Sequence, residues 1–256
     1  MRWTVVLVVS SAFLGLSAIN SPATADDATA EPEKLISVGA GLIGMVGGNF
    51  LNKPDTDSPT YKGHLVSLST YPGFGGVSRG GGLMLEGRFR FGLGLELDVL
   101  RSSDHGHGDL TINGTKFTID VGQSAWHLPV LLKFVAPLPV VRPMVFLGPE
   151  FVFPGSPDAS VDPQNPNFWT VKATASSYTL FTWGVGMEFK LPLDGVDLRI
   201  PFTLRGSVNT GLGNKLDDRA THGITPVGSA VKIDEVTYKS EWKYQAQATL
   251  GVAAYF

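Results

Sequence analysis

The sequence predicts an all-β chain: a closed, antiparallel, eight-stranded, up-and-down transmembrane barrel. Three observations carry this reading. Segments that alternate apolar and polar residues recur eight times after the N-terminal stretch. The connections between them are alternately long and short. One face of the segments is almost purely apolar, while the other carries charges of both signs.

The eight segments are residues 35–50, 82–91, 92–103, 116–136, 140–153, 177–191, 196–209 and 240–256. Three connections are short: Phe91 with Gly92, residues 137–139 and residues 192–195. Four are long: residues 51–81, 104–115, 154–176 and 210–239. An even number of antiparallel strands with tight turns at one end and long loops at the other is the pattern of a membrane barrel. It places both termini at the turn end, the periplasmic side.

The faces follow from the two-residue period of an extended chain. Leu93, Leu95, Leu97 and Val99 share one side of the third segment, opposite Glu96 and Asp98. In the fourth, Trp126, Leu128, Val130, Leu132 and Phe134 stand opposite His127 and Lys133. The sixth sets Phe181, Trp183, Val185, Met187 and Phe189 against Glu188 and Lys190. The inward set predicted this way is Glu86, Arg88, Arg90, Glu96, Asp98, Lys133, Arg142, Glu150, Glu188, Lys190, Arg199, Arg205 and Lys243. In a soluble barrel one of the two faces would be in conflict, because an unpaired charge buried in an apolar core costs several kcal/mol. Lipid outside and a polar lumen inside remove the conflict. Lipid also demands that every backbone group be bonded, which a sheet without edges achieves. An eight-stranded lumen is just wide enough for side chains to fill it, so the inward charges are expected to pair and plug it.

Aromatic residues mark the two interfaces. Trp126 lies eight residues before Phe134, and Trp183 eight before Leu191. Eight tilted residues climb roughly 20 Å. Trp126 and Trp183 are therefore assigned to the outer girdle, and Phe91, Phe134 and Phe256 to the inner one.

The remaining composition narrows the function. The chain has 256 residues, a formal charge of −3 and no cysteine. A near-neutral balance gives no basic stripe for nucleic acid. Without cysteine there is no disulfide framework, thiolate metal site or lipid-bearing thiol. Residues 1–25 read as a secretory signal: Arg2, an apolar stretch over 5–16, and Ala23-Thr24-Ala25 as the cleavage site. Residues 26–34 read as a flexible acidic lead, and 35–256 as the barrel.

The last strand carries the most specific feature. Residues 246–256 alternate apolar positions and end on Phe256. Together with the signal sequence and loop pattern, this resembles the small eight-stranded outer-membrane barrels, the class of the OmpA transmembrane domain, OmpX and the Ail-type adhesins. It also resembles the broad "outer membrane protein beta-barrel" families. The resemblance spans residues 35–256. It implies an outer-membrane location, contact with outer-membrane lipid and lipopolysaccharide, and recognition by the barrel assembly machinery through the strand ending in Phe256. It leaves the activity open.

Proline is the departure from this pattern. Pro129, Pro143, Pro149 and Pro201 fall inside proposed strands, where each removes a ladder donor. Local bulges are expected at Gly148-Pro149 and near Pro129.

Few residues suggest chemistry. Asp104, His105, His107 and Asp109 lie in the expected loop 104–115 and are of a type that chelates divalent metal, but their Gly-rich spacing suits a flexible loop better. Residues 73–82 are Gly-rich with no following Lys-Ser/Thr, and read as a loop. His127 faces inward and Ser124 outward, so no nucleophile and base meet as acyl hydrolysis requires. No catalytic residue, metal site or cofactor is expected. The expected role is structural or surface interaction through the long loops, with Tyr61, Tyr71, Phe74, Phe168 and Trp169 as exposed candidates for an extracellular ligand. A narrow channel and a lipid A-modifying enzyme are the alternatives.

Overall fold

The computed structural model describes residues 35–50, 60–61, 64–65, 75–112, 115–156, 158–162, 170–174, 176–193, 195–211, 224–227, 230–233, 235–239 and 243–256. The signal sequence, the lead and the side chains of Tyr61, Tyr71, Phe74, Phe168 and Trp169 lie outside the described residues.

Eight long strands form the barrel: β1 (Ile36–Phe50), β2 (Gly75–Phe89), β3 (Leu93–Ile112), β4 (Thr115–Val135), β5 (Val141–Pro154), β6 (Tyr178–Lys190), β7 (Asp197–Asn209) and β8 (Tyr244–Tyr255). Each is antiparallel to its chain neighbours, and β8 pairs with β1 to close the ring. Stepping from partner to partner starts at Val38 and passes through Gly87, Leu95, Leu132, Leu147, Trp183, Gly206 and Ala246. It returns to β1 at Gly48, ten residues further along. A ten-residue stagger at ~3.3 Å rise, over eight strand spacings of ~4.8 Å, tilts the strands by about 40°. That tilt sets the lumen width.

The short connections all lie at one end. In the first turn Gly92 takes a φ of 95°, a left-handed conformation that favours glycine. Its N–H donates to the Phe89 carbonyl at 2.9 Å. Gly195 does the same work before β7 with a φ of 78°. At this end the Phe256 N–H donates to the Val38 carbonyl at 2.9 Å, joining the last strand to the first.

At the opposite end, two expectations are corrected. Residues 75–82, expected in a loop, begin β2. A Cβ on Gly80 or Gly82 would strike the carbonyl oxygen of Arg101 or Val99 on β3, so glycine here serves a close strand approach. Residues 104–112, also expected in a loop, continue β3 to Ile112, paired with β4. The strand Asp158–Asp162 then adds to the protruding part of β4, from Thr118 to Gly122. The β3–β4 ladder holds this extension from Asp104↔Gln123 to Ile112↔Thr115.

The predicted bulges are absent. Across Pro129 the β3–β4 register goes from Leu97↔Val130 to Leu100↔His127 with no residue gained. Across Pro149 the β4–β5 register goes from Pro129↔Glu150 to Leu132↔Leu147 in the same way. Pro201 interrupts β7–β8 between Arg199↔Ala253 and Phe202↔Leu250. A residue in an antiparallel strand bonds one neighbour only, so proline removes a rung on one side. The other side keeps its pairing: Pro149↔Phe181 and Pro201↔Glu188. The ring holds register from both flanks, and no extra residue is needed.

Side chains sort by parity. Val38, Leu42, Leu83, Leu97, Leu132, Val145, Val185, Leu204 and Leu250 are exposed on the outer wall, while the inner wall is buried. No described helix is long and apolar enough to cross a membrane; this does not bear on crossing by strands.

Candidate functional site

The lower lumen, nearest the short turns, is an ionic network. Arg88, two residues above the turn, reaches across the barrel to Glu188 with a bidentate pair at 2.8 and 2.6 Å. Its Nε donates to Glu86 at 2.5 Å. Lys133 Nζ bridges Glu86 and Glu96 at 2.9 and 2.6 Å. Arg205 binds Asp98 and Glu96 at 2.8 and 3.1 Å. Arg199 pairs with Asp197 at 2.5 Å and with Glu188 at 3.3 Å. Glu86, Glu96, Asp98 and Glu188, with Arg88, Lys133, Arg199 and Arg205, are all buried. Four anions thus meet four cations in a place where water is scarce, and each bond is charge-assisted.

Tyr255 completes this layer, a role that parity alone did not single out. Its hydroxyl donates to Glu86 at 2.7 Å and accepts from Arg88 at 3.0 Å. The Arg199 guanidinium lies 3.7 Å from the ring centroid. Such stacking puts a second arginine against an already charged layer at little repulsive cost.

Four residues of the inward set stand at the margins. Arg142 is half-buried, 3.7 Å from Glu188, and donates to the Leu138 carbonyl at 2.6 Å. Lys190 lies 3.7 Å from Asp197 with its side chain 40% exposed. Lys243 is half-buried over the Tyr244 ring. Arg90 is corrected: it lies in the first turn and is exposed, because the turn ends the parity that assigned it inward.

The upper lumen is polar but largely uncharged. Glu150 accepts from Thr182 Oγ1 at 2.6 Å and contacts His127 Nδ1 at 2.6 Å. His127 Nε2 lies 3.0 Å from Ser102 Oγ. Serine, imidazole and carboxylate thus follow one another in the order of a hydrolytic triad. Sequence reading missed this set, since the parity that turns Ser102 inward does not say which strand residue it meets. The local chemistry differs from a triad. Ser102 also donates to Asp104 Oδ2 at 3.2 Å. A hydroxyl has one proton, so Ser102 then accepts from His127 rather than yielding a proton to it. Ser102 is 2% exposed and His127 fully buried.

The loop motif is divided by the strand. Asp104 points inward and is buried; His105 and His107 point outward and are exposed. The Asp109 side chain lies outside the described residues. No group of three or more His, Asp or Glu able to hold a metal occurs among the described residues. Trp126, Trp183, Phe91, Phe134 and Phe256, which the sequence assigned to two girdles, are exposed on the outer wall and at its lower end. Phe181 stacks on Trp183 with centroids 6.2 Å apart, and Phe89 on Phe91 at 5.4 Å.

An apolar outer wall around a charged lumen defines the class: a small inside-out β-barrel. No protein-family model and no curated protein matches the chain. Among solved structures it is similar in fold to Ail, the attachment invasion locus protein of Yersinia pestis, determined in complex with the heparin analogue sucrose octasulfate. Identity is 12% and the TM-score 0.32, over 86% of this chain and 99% of that one. The outer membrane protein OprG from Pseudomonas aeruginosa is similar at 12% identity and a TM-score of 0.40, over 85% and 96%.

Proposed function

We propose that the chain is an integral outer-membrane barrel whose lumen is closed by its own ion pairs. It acts through its outward surface, with no catalytic step and no cofactor. The observation that carries this reading is the inversion of the two walls: exposed Leu42, Leu83, Val185 and Leu250 outside, paired Arg88, Lys133, Glu86 and Glu188 inside. Exposed leucines and valines over the whole circumference would drive aggregation in water, and hydrocarbon satisfies them. Export as residues 26–256 after cleavage behind Ala25, and assembly through the strand ending in Phe256, belong to the same proposal.

Two measurements test it. The refolded chain is expected to migrate faster on a detergent gel before boiling than after, and to give no steady conductance in a planar bilayer. Long-lived pores would favour the second reading, a narrow channel. The unpartnered polar groups of the upper lumen, Asn49 and Gln245 among them, support a wet upper half for such a path.

A further inference from the structure

In the lower lumen each carboxylate of the network meets a cation. At the upper end one carboxylate does not. Asp104 is 1% exposed. Its Oδ2 accepts from Ser102 Oγ at 3.2 Å, and its Oδ1 has no partner. No cationic side chain among the described residues forms an ion pair with it. Lys243, toward the same end of the barrel, stands over the Tyr244 ring, 5.5 Å from its centroid. His127 is engaged at both ring nitrogens, by Glu150 at 2.6 Å and by Ser102 at 3.0 Å. A carboxylate taken out of water without a counter-charge is strongly unfavourable, and a bound cation removes the deficit.

Three more inward side chains in this sector lack partners. Asn49 and Ser78 are fully buried and Gln245 nearly so. Both amide atoms of Asn49 and of Gln245, and the hydroxyl of Ser78, are unbonded. The ladders bring these residues to one side of the lumen. Ser78 stands opposite Asp104 across β2 and β3, and Asn49 opposite Gln245 across β1 and β8. Ser78 pairs with Gly47 and Asn49 with Gly76, so the two are diagonal neighbours, about 7–8 Å apart between backbones. Those two glycines add no side chain between the pairs. Four consecutive strands thus present one carboxylate, two amide carbonyls and one hydroxyl. The free acceptors are all oxygen, because the His127 nitrogens are already used. Oxygen donors select hard cations. Calcium accepts carboxylate, amide carbonyl and water oxygens in a tolerant geometry, whereas magnesium demands a near-ideal octahedron. Long amide side chains on separate strands suit the tolerant ion.

We propose that the upper lumen holds one calcium ion as a structural ion, on Asp104 Oδ1, Ser78 Oγ, Asn49 Oδ1 and Gln245 Oε1, with water completing its shell. Three of the four protein ligands are neutral, so the single carboxylate sets a modest affinity, with a Kd of about 10⁻⁴ to 10⁻³ M. The ion ties β8, β1, β2 and β3 together where the side chains offer each other no bonds. The site needs the closed barrel alone and does not depend on whether a solute passes.

The test titrates calcium chloride into the full chain, refolded in zwitterionic detergent micelles and freed of metal with EDTA, and reads binding by calorimetry. Wild type is expected to bind one calcium in this affinity range and magnesium more weakly. D104N is expected to weaken calcium by about tenfold or more, and N49L/S78A, which keeps the carboxylate, by about threefold or more. The urea midpoint of wild type is expected to rise with calcium, and that of D104N to stay level. D120N/D158N, which changes the carboxylates of the outer cleft beside His105 and His107, is expected to leave calcium affinity unchanged. Gel mobility before boiling reports folding for every variant, and N49L/S78A decides the matter if D104N does not fold. Absence of saturable calcium binding by the folded wild type overturns the proposal. So does equal affinity in wild type and in either lumen variant. Loss in D120N/D158N with D104N unaffected would move the ion to the outer cleft. Zinc binding tighter than calcium and lost in H127Q would replace the oxygen set with an imidazole site.

Discussion

The lower and upper halves of the lumen are built differently. Below, every cation has at least one carboxylate partner, and Arg88 alone touches Glu86, Glu188 and Tyr255. Above, Asn49, Ser78 and Gln245 are neutral, and side-chain atoms on each, with Asp104 Oδ1, have no protein hydrogen-bond partner; below, among the described residues, only Asp98 Oδ1 and the Nε2 of Gln247, the register partner of Arg205, are left so. Buried polar groups of that kind are ordinarily satisfied by water. The difference teaches that closure is local. The charges gather where the strands meet their short turns, and the half beneath the long β3–β4 hairpin has polar groups to hydrate.

The strongest way to break this contrast is R88M. It leaves Glu86 and Glu188 buried with a partner removed, and is expected to cost about 3–5 kcal/mol of unfolding free energy. Urea titration in detergent micelles, read by gel mobility, measures it. An upper-lumen substitution with an equal cost would erase the distinction.

L97R comes next. Leu97 is on the outer wall at mid-height, and a charge there is expected to cost about 2–4 kcal/mol in a bilayer. Refolding into phosphatidylcholine vesicles should fall while refolding in detergent is less affected. Undiminished insertion would argue that this wall does not face hydrocarbon.

S102A is a smaller change. Loss of the links to His127 and Asp104 is expected to cost about 1 kcal/mol, and a fluorophosphonate probe is expected to leave the wild-type chain unlabelled. Covalent labelling at Ser102 would replace the non-enzymatic reading with a hydrolase in the upper lumen.

The smallest effect is expected for Q245L. Gln245 has neither amide atom bonded to protein, so its loss should shift stability by less than about 0.5 kcal/mol or raise it. A loss above 2 kcal/mol would show that the upper lumen is as tightly coupled as the lower one.

Much of the barrel was legible because strand parity is a property of the extended chain itself. Leu93 to Val99 and Trp126 to Phe134 declare their outer side by alternation, and Gly92 declares a turn. The extension of β3 past Ser103 was not legible, since residues 104–108 carry no apolar side chain on either face and are rich in glycine. The prolines misled for a related reason: a lone strand with Pro149 calls for a bulge, while a strand held on both flanks needs none.

By itself, then, the sequence determined strand number, the direction of each wall and the short-turn end, all of which follow from local periodicity. Partnership was decided by the tertiary structure. That Arg88 meets Glu188, a hundred residues away, and that Ser102 meets His127, depend on register and on the ten-residue stagger of the closed ring. Stagger is a property of all eight strands together, and no single segment contains it.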